Sequence, residues 1–204
     1  MVKSSVVNAV APNGILERDA RPRPADEAAA RVWDVAATVL DPEVPVLTIE
    51  DLGVLRSAAV VEGRAHVTIT PTYSGCPAME TIRDDIRLAL ESAGYGEPVV
   101  ELVLSPAWTT DWMSEEGKRK LEEYGIAAPH GHAAASGHRA SGLGPIRTTG
   151  SVRQPGPIRL ALSVKCPQCG SLNTRELSRF GSTSCKALYS CSECQEPFDY
   201  FKVH

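Results

Sequence analysis

The chain contains no apolar run approaching bilayer length, no clustered Lys and Arg, no Rossmann glycine fingerprint and no Glu-x-x-His pair. Each absence closes a class. A membrane helix needs about 20 consecutive apolar residues. Phosphate binding leans on clustered positive charge, and a net charge of -4 with a pI near 5.8 argues against nucleic acid. Without Gly-x-Gly-x-x-Gly there is no dinucleotide-binding reductase. Without paired Glu-x-x-His there is no di-iron centre of the helix-bundle kind. The first residues hold a few valines, but Asn8 interrupts them before they make a signal core, so the expected location is the cytoplasm. Thiols stay reduced there, and the six cysteines point to metal binding or reactivity rather than disulfides.

What remains is an ordinary globular composition, 43% hydrophobic and 23% charged, in 204 residues, enough for one cored domain plus something small. Residues 1–24 mix Pro, Arg and Asn without periodicity and read as a loose arm. Asp26 is an expected N-cap, with Ala29, Val32, Trp33, Ala36, Val39 and Leu40 at helical spacing and Asp41-Pro42 as the stop. A turn follows at Asp51-Leu52-Gly53, then two strands joined at Glu62-Gly63. Ala65, Val67 and Ile69 alternate with His66, Thr68 and Thr70.

Met79, Ile82, Ile86, Leu90 and Ala93 mark a second helix, with Pro77 fitting its first position and Cys76 at or next to its N-cap. Residues 97–105 read as a strand and residues 114–125 as a short helix closed by glycine. The expected fold is α+β, a small sheet with helices packed on one face, over residues 25–127. Residues 128–158, rich in Ala, Gly, Ser and Pro, read as a flexible linker. Its His130, His132 and His138 read as solvated filler rather than ligands.

Residues 159–204 carry the strongest signal. Cys166 and Cys169, then Cys191 and Cys194, form two C-x2-C pairs with 21 residues between them. Each tight pair presents two thiolates, and two pairs close a tetrahedral site, so a small four-cysteine zinc-ribbon domain is expected. Gly170 suits the left-handed turn of such a knuckle. Its plainest role is structural, because a unit this small does not fold without a staple. Cys185, six residues before Cys191, is either a small buried residue or an additional metal ligand. As a ligand it would draw an iron–sulfur cluster in place of zinc, although ligand preference and spacing favour zinc.

Cys76 stands alone between glycine and proline. Beside a helix start it faces unpaired N–H groups that favour a thiolate, which makes it a nucleophile or soft-metal ligand. Otherwise it is an inert capping residue. No sequence feature names a partner base; His66 lies on a strand at an unknown distance.

The runs "DPEVPVLTIEDLGVL", "TPTYSGCPA" and "SPAWTTDWMSEEGKRKLEEYGI" resemble the SufT-type iron-sulfur assembly domain, in the version found in the phenylacetate-degradation D family. The tail "CPQCGSLNTRELSRFGSTSCKALYSCSECQEPFDYFKVH" resembles that family's C-terminus. The resemblance covers residues 28–127 and 160–204. It implies that Asp41, Pro42, Glu43, the Asp51-Leu52-Gly53 turn, Thr72 and Cys76 are signature positions. It further implies that Cys76 handles iron or an iron–sulfur cluster bound for another protein, with Asp41, Glu43 or Asp51 as hard oxygen ligands. Turn formation explains Asp41 and Asp51 equally well.

On this resemblance the chain is an accessory subunit of a phenylacetyl-CoA monooxygenase, partnered by its oxygenase and reductase subunits and maturing or maintaining their iron centres. The competing expectation is a non-catalytic ribbon module that docks a protein or, against the charge balance, nucleic acid. Homo-oligomerisation stays open.

Overall fold

A computed structural model describes residues 23–129 and 164–203. The arm before Arg23 and the linker histidines lie outside the described residues.

The first helix, α1 (Glu27–Ala36), starts where the sequence placed it: the Asp26 carboxylate accepts the Ala29 N–H at 2.9 Å. It ends earlier than the apolar spacing suggested. Leu40 joins a two-residue strand, β1 (Leu40–Asp41), which pairs antiparallel with β2 (Val44–Thr48). The cause is Asp41, whose Oδ1 accepts both the Glu43 and Val44 N–H groups, at 2.8 and 2.9 Å. That Asp turn offers the backbone an alternative to another helical turn.

The expected hairpin forms between β3 (Leu55–Val61) and β4 (Arg64–Ile69). Glu62 and Gly63 both take positive φ, 52° and 78°, as a two-residue turn matched to strand twist requires. Helix α2 (Ala78–Ser92) then crosses over to β5 (Val99–Leu102), which lies parallel to β4. The strand is shorter than expected at both ends, and the left-handed Glu97, with φ 46°, keeps its start from reaching back to residue 97. Both helices pack on this sheet and on each other. Ala65, Val67 and Ile69 are buried against them, as the alternation implied. The last helix of the first part, α3 (Glu115–Glu123), is capped by Ser114 and packs against β2.

The C-terminal strands β6 (Thr174–Ser178), β7 (Lys186–Cys191) and β8 (Pro197–Phe201) form an antiparallel ribbon. It is joined to the first part by backbone: the Ala127 N–H donates to Asp199 O at 2.8 Å and the Phe201 N–H to Ala127 O at 3.0 Å. The ribbon's own core is small, built on Ala127, Val164, Cys166, Cys191 and Phe198, whereas Cys185 and Phe201 bury into the main core. An element with so little apolar interior gains by burying what it has against a neighbour. Among the described residues no helix is long and apolar enough to cross a membrane.

Candidate functional site

The four paired cysteines converge. Cys166 and Cys194 sulfurs are 3.7 Å apart, Cys169 and Cys191 sulfurs 3.5 Å, and all four lie within 4.8 Å of one another. A tetrahedron of thiolates at about 2.3 Å from one zinc ion has edges of about 3.8 Å, so the set fits a single ion. The two knuckles repeat one geometry. The Gly170 N–H bonds Cys166 O at 2.9 Å and the Gln195 N–H bonds Cys191 O at 3.1 Å, each from a residue of positive φ, 75° and 66°. Sequence reasoning found Gly170 but not Gln195, because a non-glycine carries no such mark.

Backbone N–H groups aim at the sulfurs. Those of Cys194 and Glu193 pull the Cys191 thiol down to about 7. The Glu196 N–H favours a Cys194 thiolate too, but burial and the three neighbouring sulfurs outweigh it and push that thiol up to about 12. Four sulfurs crowded together repel as anions and are neutralised by a cation.

Cys185 is not in this group. It is buried 3.0 Å from Thr183 Oγ1, and its thiol points at Glu43 Oε2 across 3.8 Å. Next to it, the buried Lys186 ammonium donates to Glu43 O at 3.2 Å. The ribbon therefore places a thiol and a cation on the β1–β2 turn.

Cys76 lies on the same side. It closes a turn with Tyr73 (N–H to O, 3.1 Å) directly before α2, and Pro77 stands at the N-cap position, one residue before the first helical position expected for it, with no side-chain capping bond. The Cys76 thiol is half-buried and within the fields of Glu43 and Asp41, while the nearby Ala78 N–H and Thr72 favour its thiolate. Burial dominates and the two carboxylates reinforce it, so the thiol sits above its ordinary value. This reverses the expectation of an acidic thiol: the helix start contributes one N–H, too little against desolvation and like charge. Tyr73, which sequence reasoning did not single out, ties the two parts together. Its phenol feels Ser184 and Cys185 of the ribbon as well as Cys76 and Glu43.

The acids divide by role. Asp51 is saturated: Oδ2 accepts the Thr48 N–H at 3.1 Å and the Lys120 ammonium at 2.7 Å, and Oδ1 accepts Ser114 Oγ at 3.0 Å. Burial opposes its ionisation, but these donors outweigh it and hold the carboxyl below its usual range. It staples the turn to α3. Gly53, the last residue of that turn, is required at φ 69°, since a Cβ would meet Trp112 O at 2.4 Å. Asp41 is occupied by its own turn, and burial raises it. Of the three acids, Glu43 is half-buried, its carboxylate faces the Cys185 thiol, and its charge is felt at Cys76.

Four thiols gathered at one point define a class of metal-binding protein. A model described as an iron-sulfur cluster assembly protein matches residues 29–102, and one described as the PaaD zinc beta ribbon domain matches residues 153–202. The putative 1,2-phenylacetyl-CoA epoxidase D subunit of Escherichia coli (strain K12) is 42% identical over 171 residues, spanning 84% of this chain and 90% of that protein. The chain belongs to this D-subunit family of phenylacetyl-CoA epoxidases. Two Fe-S protein maturation auxiliary factors share the first part alone. That of Porphyromonas gingivalis is 40% identical over 86 residues, spanning 41% of this chain and 81% of that protein. SufT of Staphylococcus aureus is 36% identical over 85 residues, spanning 41% and 96%.

Proposed function

We propose that this protein is an accessory subunit of a multicomponent phenylacetyl-CoA epoxidase in aerobic phenylacetate catabolism. It assembles or maintains the iron or iron–sulfur centres of the oxygenase and reductase subunits through Cys76. The observation that carries the reading is the half-buried Cys76 thiol in the loop leading into α2, within the field of the Glu43 carboxylate. A protonated thiol near a free carboxylate holds ferrous iron only on losing its proton, which makes binding reversible, as transfer to another protein demands. The family relationship supports the recipient, and the likeness to Fe-S maturation factors supports the cargo.

In this reading Cys166, Cys169, Cys191 and Cys194 hold one zinc ion that staples the ribbon. The close approach of the four sulfurs supports one ion, because a multi-iron cluster with its sulfides would hold its cysteines further apart. The work takes place in the cytoplasm, where these thiols stay reduced.

The test is the Cys76→Ser variant, which keeps an oxygen to accept the Ala78 N–H. Zinc content and fold stay intact, while the epoxidase complex made beside it contains less iron and turns over less phenylacetyl-CoA. Already matured oxygenase bypasses the defect. A fully metallated, active complex from the variant strain overturns the thiol role. A need for this protein at every turnover of mature oxygenase replaces assembly with a standing coupling role.

A further inference from the structure

The fifth cysteine of the ribbon lies away from the four-thiol group and opposite the first part's candidate thiol site. Cys185 is 142 residues from Glu43 in sequence, yet its sulfur is 3.8 Å from the Glu43 carboxylate. The contact is built. Lys186 donates to the Glu43 carbonyl, Thr183 Oγ1 is 3.0 Å from the Cys185 sulfur, and Ser184 lies close enough to be felt by the phenol of Tyr73, three residues before Cys76. Three successive ribbon residues and the following lysine thus cover the β1–β2 turn and the loop leading into α2.

From this juxtaposition we propose that Cys185 is a second sulfur ligand for the ferrous cargo. The ribbon would complete a site whose other donors are Cys76 and the Glu43 carboxylate. The inference rests on the iron-handling role proposed above and adds to it the part played by the ribbon. Two thiolates with one carboxylate suit ferrous iron, a borderline cation that accepts both sulfur and oxygen, better than one thiolate alone. Each thiol releases its proton to solvent as it ligates, and iron stays ferrous throughout. Among the described residues the four ribbon cysteines alone gather three or more such ligand atoms within 4.8 Å of one another. The second site therefore closes on the ion by rotation of the half-buried Cys76 and Glu43 side chains toward the fixed, buried Cys185.

Such a site makes iron binding depend on ribbon docking, and docking depend on the zinc ion.

The test titrates zinc-loaded protein with ferrous iron under anaerobic conditions and reads the iron absorption edge, to which the zinc site is silent. Wild type shows a ferrous site with two sulfur neighbours. Cys185→Ser leaves one and weakens binding at least by the roughly ten-fold that loss of even an outer-shell partner costs. The wild-type sulfur count decides the matter without any substitution, should the variant fold poorly. One sulfur in wild type, lost in Cys76→Ser and unchanged in Cys185→Ser, overturns this inference and leaves the Cys76 role standing. Iron binding untouched by Cys76→Ser, or no iron binding beyond zinc, overturns both.

Discussion

Phe201, at the end of β8, sets its ring edge against Trp108 with centroids 6.2 Å apart and planes at 60°. Both rings are buried, and the Trp108 indole N–H donates to Leu52 O at 2.9 Å, beside the Asp51 turn. The ribbon and the first part therefore share one core, so the stability of each includes the other.

Phe201→Ala should destabilise the whole protein by about 3–5 kcal/mol, the cost of a large buried aromatic. Chemical denaturation followed by fluorescence of Trp33, Trp108 and Trp112, all buried in the main core, and by zinc release should move to lower denaturant together. Separate transitions, with only zinc release shifted, would show that the two parts fold independently.

Elemental analysis should find one zinc ion per chain. Removing it with a chelator, or substituting Cys166 by Ser, should unfold β6–β8 and change Trp108 fluorescence as Phe201 leaves. Amide exchange should rise along residues 164–203 first. Iron with sulfide in place of zinc would assign the cluster instead.

Asp51→Asn should cost about 2–3 kcal/mol at neutral pH, because it weakens a partly buried, charge-assisted bond to Lys120. The folded carboxyl lies below its unfolded value, so its contribution is present above that value and lost as pH falls through the folded one. Wild type should therefore lose stability below about pH 4 more steeply than the Asn variant in urea titrations.

Asp41→Asn should behave in the opposite way. Burial raises this carboxyl above its unfolded value, so ionisation weakens the fold as pH rises through the folded value. Asparagine keeps the oxygen that accepts the Glu43 and Val44 N–H groups. The variant should equal or exceed wild type in urea midpoint at pH 7 and lose that advantage under acid. A large loss at pH 7 would mean that the charge itself is needed.

Cys76 should react with iodoacetamide with a midpoint above the free-cysteine value of about 8.5. Burial sets that direction and the Glu43 and Asp41 charges add to it, so Glu43→Gln should lower the midpoint. Peptide mass spectrometry separates Cys76 from the buried Cys185 and the zinc-held thiols. A midpoint below that of free cysteine would restore the helix start as the dominant influence.

Whatever depends on neighbours in sequence was legible in the chain itself. Asp26 caps α1, the Glu62-Gly63 pair turns the hairpin, the apolar spacing of Met79, Ile82, Ile86 and Leu90 builds α2, and two C-x2-C pairs converge on a single point. Turn geometry and periodicity act over a few residues, so the residues themselves suffice. Other features were settled only by packing. Leu40 left the helix because an aspartate one residue on had two N–H groups to bind. Asp51 and Asp41 looked alike as turn residues, yet Lys120, 69 residues from Asp51, holds one below its usual range while burial lifts the other. Cys76 looked activated by its helix, yet desolvation and two carboxylates outweigh a single N–H. Cys185 read as either a small buried residue or an extra ligand; it is buried, and docking of the ribbon carries it to Glu43. Burial and charge are set by the groups a fold brings together from distant positions, and a local pattern records only which groups are there to be brought.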